Sequence, residues 1–464
     1  MVTKRSREFP ASAIACGRSL SHGAMHTTEA IIHRSQIQQR IANCKWKGEN
    51  MNSGRRMSGN PKGSVVLVMF AVLLTMTTVS ANTQQGANHR SNQLRRIEGG
   101  PTTDTTSSAR PPQRATSRIS TNGSAVKYKA VRIGVLPGKT NTLLSNDVNV
   151  INNLGHVVGY SYVAPEAYQT AQPFLWKDGH LSALPLPKGA SAAFATGIND
   201  QDQVIAETNE LDSNGVRVRR AFIVDHGKVV VLPVLNADSN TQPFAINNWG
   251  SAVGRNHNRV DGSDTPVVWS SGKIHALPLL PGEDGGFAFG INDLGVIAGY
   301  QFPADDSSEV ACLWYWNGGG YTVVALKTLG GNYGEAYDIN NWGQTAGFST
   351  NTDDANGFGT LWDWRGPHAL PMLPGDTDGI ANAINDQGQI TGITGGVDQY
   401  GNDYQRVVLW QNGTVTDLQT VVPPDTLPFF DIGNANRLGQ IAIDAGFFPD
   451  GSSFVGYVLI PKDN

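Results

Sequence analysis

An all-β fold built from repeated four-stranded units is predicted by three features of this 464-residue sequence. An Ile-Asn pair followed by Asn or Asp, a variable residue and Gly returns along the chain. The pairs stand at Ile151-Asn152, Ile198-Asn199, Ile246-Asn247, Ile291-Asn292, Ile339-Asn340 and Ile384-Asn385, with a degenerate copy at Ala435-Asn436. Their spacing is 47, 48, 45, 48, 45 and 51 residues, and about 40–50 residues is what four short strands and their turns consume in a propeller blade. The second feature is composition: 53 Gly and only 16% charged residues suit a β protein with many tight turns. The third is that each period divides into four strand-length apolar pieces.

Before the repeats stand three segments of different character. Residues 64–81, SVVLVMFAVLLTMTTVSA, follow a basic stretch and end in small residues at Val79-Ser80-Ala81. That is the pattern of a secretory signal peptide, with an apolar run too short to span a bilayer. The segment 51–81 is therefore read as the signal, starting at Met51 or Met57. Residues 1–50 read as an over-extended translation start, the alternative being a cytoplasmic tail on a signal anchor. Residues 82–125 are rich in Thr, Ser, Gln, Arg and Pro, too poor in apolar side chains to offset ordering entropy, and read as a disordered linker. Residues 126–464 are the repeat domain.

Within the fourth repeat the four pieces are FAFGIN, GVIAGYQ, VACLWYW and TVVALKTL. The first turn is Asn-[Asn/Asp]-x-Gly, and the third contains Gly, as in WKDGH or WQNGT. Asn, Asp and Gly all tolerate the left-handed backbone that tight hairpins need. The other two connections vary in length. Third strands carry Trp176, Val224, Trp269, Trp314, Trp362, Trp410 and Val458 in equivalent places. Fourth strands with a Leu-Pro-type ending are expected at 184–189, 232–235, 277–282, 326–331, 370–375 and, weakly, near Leu418. One is missing at the end, because 435–461 stops after a third strand. One is left over at the start, KAVRIGVLPG at 129–138. The amino-terminal strand should complete the last blade, which removes two open edges and makes a seven-bladed β-propeller of four-stranded blades.

These turns, the Leu-Trp strand and the Leu-Pro-Gly ending resemble the HAF repeats of uncharacterised bacterial extracellular proteins, over about 148–460. The His-Ala-Phe signature itself is blurred here, its nearest forms being Gln172-Pro173-Phe174 and Arg220-Ala221-Phe222. The resemblance implies a propeller-like fold and secretion, and it implies no activity.

Charge narrows the function classes. Residues 1–125 hold 17 Lys/Arg against 5 Asp/Glu, net +12, whereas 126–464 hold 18 against 34, net −16. An acidic repeat domain argues against nucleic acid as partner. Cys16, Cys44 and Cys312 cannot build a disulfide framework or a zinc site. The sequence holds no nucleophile elbow, zinc helix, phosphate loop or sialidase-type Asp box. The repeated Trp read as core between blades, while Trp249 and Trp342, at the variable turn position, are the better candidates for stacking on sugar. The turn Asn and Asp read as turn caps rather than calcium ligands, since the calcium-loop pattern is absent.

The variable connections carry the excess acid: Asp261, Asp264, Glu283, Asp284, Asp305, Asp306, Glu309, Asp353, Asp354, Asp376, Asp378, Asp398 and Asp403. In an up-and-down blade those connections share one face, and variable loops on a rigid scaffold are where binding sites sit. The reading is a secreted, non-enzymatic binding or structural scaffold with an acidic loop face. It needs no cofactor and no membrane span, acts as a monomer, and has a protein or glycan partner outside the cytoplasm. A polysaccharide hydrolase or lyase using carboxylates near the ring axis is the alternative. A cell-surface module stabilised by Ca²⁺ is a second.

Overall fold

The computed structural model describes residues 126–144, 149–163, 167–211, 215–447 and 453–462. The start, signal and linker segments expected from sequence lie outside them. Seven four-stranded antiparallel sheets form a ring, each ordered a-b-c-d from the axis outward. Blade 1 spans 141–183, blade 2 193–231, blade 3 239–276, blade 4 285–325, blade 5 330–369 and blade 6 378–417. Blade 7 joins 429–461 to the strand Tyr128–Arg132. That strand pairs antiparallel with the third strand of blade 7, from Tyr128 opposite Pro461 to Arg132 opposite Tyr457. Ring closure by the amino terminus is thus as expected. Tyr128, Ile133 and Leu136 are buried beside it.

The fourth strands end earlier than expected. They are His180–Ala183, Lys228–Val231, Lys273–Ala276, Tyr321–Ala325, Gly366–Ala369 and Thr414–Asp417, each stopping before the Leu-Pro segment or its equivalent. In blade 3, Leu277 makes one more ladder bond to the Pro266 carbonyl (2.9 Å). Pro278 has no N–H with which to continue. The Leu side chains turn inward, Leu184, Leu232 and Leu277 being buried. The carbonyl at the Pro position then receives the indole of the next blade. Trp269 Nε1 donates to Pro233 O at 2.8 Å, Trp314 to Pro278 O at 2.8 Å, and Trp410 to Pro371 O at 2.6 Å. In blade 5, Trp362 donates to Lys327 O at 2.7 Å. Leu-Pro and Leu-Trp are therefore two halves of one contact between blades.

Strands a of blades 2–7 each carry a register shift just before the Ile-Asn pair or its equivalent, for example between Ala288 and Gly290. An extra residue there bends the strand end. Blade 1 is irregular: after Asn141–Leu143 its inner edge resumes with single bridges at Asn149 and Ile151. A hairpin of Glu210–Leu211 with Arg217–Val218 extends the b–c loop of blade 2. No helix among the described residues is long and apolar enough to cross a membrane.

Candidate functional site

The a–b and c–d turns emerge on one face, and the b–c and d–a connections on the other. On the tight-turn face the Ile-Asn turns converge on the axis. Asn292 Oδ1 accepts from the amides of Leu294 (3.1 Å) and Val296 (2.9 Å), capping its own turn. Its Nδ2 donates to the Asn340 carbonyl in the next blade at 3.0 Å. The same three bonds recur in all seven blades, and the circle closes with Asn436 Nδ2 to Asn152 O at 2.9 Å. The capping role was legible in sequence; the bond to the next blade was not. Asn alone supplies this set, because Asp has no donor and Gln carries its amide one carbon farther out.

A second ring follows at the next residue: Asn153, Asp200, Asn248, Asp293, Asn341, Asp386 and Arg437. Backbone amides donate to the side chain of the following blade, as Asn248 N does to Asp293 Oδ1 (2.9 Å) and Asp293 N to Asn341 Oδ1 (2.8 Å). Asn248 Nδ2 also reaches the carboxylates on both sides, Asp293 at 2.9 Å and Asp200 at 3.2 Å. Alternation keeps like charges apart, and an odd ring cannot alternate throughout. The exposed Arg437 occupies the seventh place, between Asp386 and Asn153.

These turns line a cavity of about 120 Å³ at the channel mouth. Asp338 borders it, buried, with its two oxygens accepting from Ile339 N (2.9 Å) and Ile384 N (2.8 Å). Burial nevertheless pushes its carboxyl up to about 7. Outside both rings, the variable turn position forms an exposed crown: Leu154, Gln201, Trp249, Leu294, Trp342, Gln387 and Leu438.

The loop face holds the thirteen acidic residues, and they do not act as one group. Asp264 is buried against Arg255 (3.3 Å) and His257 (3.0 Å). Glu309 is also buried. Asp354 accepts from Asn332 N and Nδ2 and from Thr350 Oγ1, so it ties the b–c connection of blade 5 to strands a and b. The Asp376 side chain is fully enclosed by the Arg406 pair and Thr394. Asp398 caps its own turn through Tyr400 N and Asn402 N, both 2.8 Å. Asp403 opens strand c of blade 6, and Glu283 is half-buried. Asp261, Asp284, Asp305, Asp306, Asp353 and Asp378 are exposed. No three His, Cys, Asp or Glu among the described residues are gathered closely enough to hold a metal ion.

Sequence reading missed a polar cluster between blades 2 and 3. Glu207 Oε1 accepts from Arg219 Nη1 at 2.9 Å, and Arg255 Nε donates to Gln242 Oε1 at 3.0 Å. The Arg255 guanidinium lies 4.9 Å from the Phe287 ring of blade 4. Burial pushes the Glu207 carboxyl up, against the pull of Arg219 and Arg255. The adjoining space, about 10 Å³, takes one water at most. The signal was present as a break in the repeat: the position of Glu207 is Tyr300 in blade 4 and Ile393 in blade 6.

No family model and no curated protein matches the chain. Among solved structures it is similar to the β-propeller domain of the trilobed protease from Pyrococcus furiosus, described as having an open velcro topology. That match has 8% identity and a TM-score of 0.43, covering 69% of this chain and 94% of that one. It is also similar to a gluconolactonase from Xanthomonas campestris (12% identity, TM-score 0.29, covering 56% and 90%). A third is the Trypanosoma rangeli sialidase (10% identity, TM-score 0.35, covering 73% and 60%).

Proposed function

We propose that this chain is a secreted, non-enzymatic binding propeller that presents the loop face of blades 4–6 to a basic protein surface. The supporting observation is the placement of Asp284, Asp305, Asp353 and Asp378. They are exposed on the loop face of three consecutive blades, the first three on connections and Asp378 at the first residue of strand a of blade 6. The bonds they accept come from neutral groups, such as Ser307 N to Asp305 and Ala355 N to Asp353. The hydroxyl and amide of Ser307 hold the Asp305 carboxyl below its ordinary value. The signal-like segment 64–81 supports a location outside the cytoplasm.

The test is binding of oligo-lysine and oligo-arginine peptides, measured between low and high salt. Binding should weaken as salt screens exposed charge. It should fall when Asp284, Asp305, Asp306 and Asp353 are changed together to Asn, and persist when His226 and Asn412 on the tight-turn face are changed to Ala. Equal loss from both sets would sink the reading. The sign of the polysaccharide hydrolase or lyase alternative would be reducing ends released from a polysaccharide. A melting temperature raised by calcium chloride would favour the calcium-stabilised module.

A further inference from the structure

We infer that the tight-turn face of blades 3–5 is a stacking platform for a neutral polysaccharide chain, a site separate from the acidic loop face. The described tryptophans divide into two groups. Trp176, Trp269, Trp314, Trp362 and Trp410 are buried in third strands. The other four are exposed: Trp249 at 78%, Trp316 at 58%, Trp342 at 71% and Trp364 at 90%. All four stand on the same face, and all on three adjacent blades. Trp249 and Trp342 occupy a–b turns of blades 3 and 5, Trp316 ends strand c of blade 4, and Trp364 lies in the c–d turn of blade 5.

The fold does not require these indoles. At the equivalent a–b position other blades carry Leu154, Gln201, Leu294 or Gln387, and the c–d turns elsewhere read Lys177-Asp178, Ser270-Ser271 or Gln411-Asn412. Repetition marks what the ring needs, so a clustered departure from it marks something else. Together the four expose several hundred Å², at roughly 150–250 Å² per aromatic side chain. Four exposed indoles on one face of adjacent blades depart from the singly scattered apolar side chains of an ordinary surface.

The indoles are held ready. Trp249 Nε1 donates to Asp293 O at 2.8 Å and Trp342 Nε1 to Asp386 O at 2.9 Å, each reaching to the next blade. Trp316 sits against Tyr321 at 5.2 Å in an edge-on contact, and the Arg365 guanidinium lies 5.5 Å from the Trp364 ring. Side chains already ordered lose little freedom on binding. With both turn N–H groups spent on the backbone, Trp249 and Trp342 offer a ligand only their ring surfaces.

Charge selects the class of ligand. In the turns of blades 3–5 on this face, Lys273 and Arg365 stand against Asp293 and Asp363, and Asp200 and Asp386 of the neighbouring turns border them. A surface of mixed sign with a small acidic excess has no attraction for a polyanion or an anionic lipid layer. Apolar rings interleaved with carboxylates and amides fit a polyhydroxylated chain, whose C–H faces stack while its hydroxyls meet the polar groups. A carboxylate such as Asp293 keeps lone pairs beyond those its ring bonds use.

Affinity electrophoresis of the full chain through gels containing hydroxyethylcellulose, xyloglucan, galactomannan or laminarin, with polygalacturonate as the charged control, tests this. At least one neutral polysaccharide should retard the protein, and the retardation should persist in 1 M sodium chloride. Trp249→Ala with Trp342→Ala, and Trp316→Ala with Trp364→Ala, should each weaken it tenfold or more at unchanged melting temperature. No retardation on any neutral gel, retardation on polygalacturonate alone, or binding unaltered in both variants would overturn the assignment. A wild-type dimer in sedimentation that becomes monomeric in the Trp variants would also overturn it, and would assign the face to a second copy of the chain. The salt response separates this outcome from that of the acidic face.

Discussion

The two faces of the ring are made from the same seven blades and differ in almost everything else. On the tight-turn face one residue type, Asn, occupies seven equivalent places and makes the same three bonds in each. On the loop face each acidic residue has its own environment, from Asp376 enclosed by Arg406 to exposed Asp305. Scaffold and recognition are thus separated by whether a side chain repeats. A side chain repeated with its partners is holding blades together, whereas one that breaks the pattern has been released from that duty. The rule applies within the tight-turn face as well, where the turn Asn repeat and the exposed Trp do not.

Removing the closure should have the largest effect on the ring. Deleting residues 126–138 leaves the last blade with an open edge and uncovers Tyr128's partners together with the sites of Ile133 and Leu136. At about 1.5–3 kcal/mol for each large apolar side chain, several kcal/mol should be lost. A truncated chain that melts with the intact one in calorimetry would contradict the ring.

Next in size is the Asn ring itself. Asn292→Ala removes two caps and the bond to blade 5, and should cost about 2–4 kcal/mol at roughly 1 kcal/mol per bond, with more for groups left buried and unpaired. Asn292→Asp keeps the caps and should cost less. Asp305→Ala on the opposite face should stay within about 0.5 kcal/mol. Denaturant unfolding of the three variants checks the order, and equal costs would erase the distinction between faces.

A third prediction uses pH. Burial holds the carboxyls of Asp338 and Asp431 at about 7 and raises that of Asp444 as well, the last also through the charge of Asp431. In the unfolded chain they lose their protons near pH 4. Between those values the folded state binds more protons, so this contribution is present below about pH 4 and is lost as pH rises through 7. The melting temperature should therefore be higher at pH 5 than at pH 8. Asp363 works in the opposite sense: burial opposes ionisation, but Arg365 and His368 outweigh it and bring the carboxyl to about 2. That contribution fades only below about pH 4. A melting temperature higher at pH 8 would show that these inner acids are not protonated when folded.

The smallest effects separate the two classes of indole. Trp314→Phe loses the bond to Pro278 O inside the core and should cost about 1–3 kcal/mol. Trp342→Phe, on the surface, should cost less than about 0.5 kcal/mol. Thermal unfolding of both variants measures the gap, and a large cost at Trp342 would make it structural.

The repeat period, the tight turns, the blade count and the orphan strand at 129–138 were legible because hairpin turns and strand alternation are local. The strand ends were misplaced at Leu-Pro because the reason for that pair lies one blade away, in the indole that its carbonyl receives. The exposure of Trp249 and Trp342 followed from their place in the turn. Trp316 and Trp364 went unnoticed because a strand-end Trp beside core Trp314 and Trp362 has the same local pattern. The thirteen acids were placed on one face by topology alone. Which of them are spent on Arg255, Arg406 or Asn332 depended on connections up to 30 residues away.

The period, the four strands per blade, the count of seven and closure by the first strand all follow from the chain's local chemistry. Backbone chirality, turn residues and the need to cover edges act within one repeat or by simple counting. How the repeats meet is set in the folded ring alone: the amide circle, the alternating second ring with Arg437 at its odd place, the buried Glu207 cluster and the grouping of four exposed indoles. Each of these brings together residues of different blades, and such a meeting exists only once the ring has set the blades side by side.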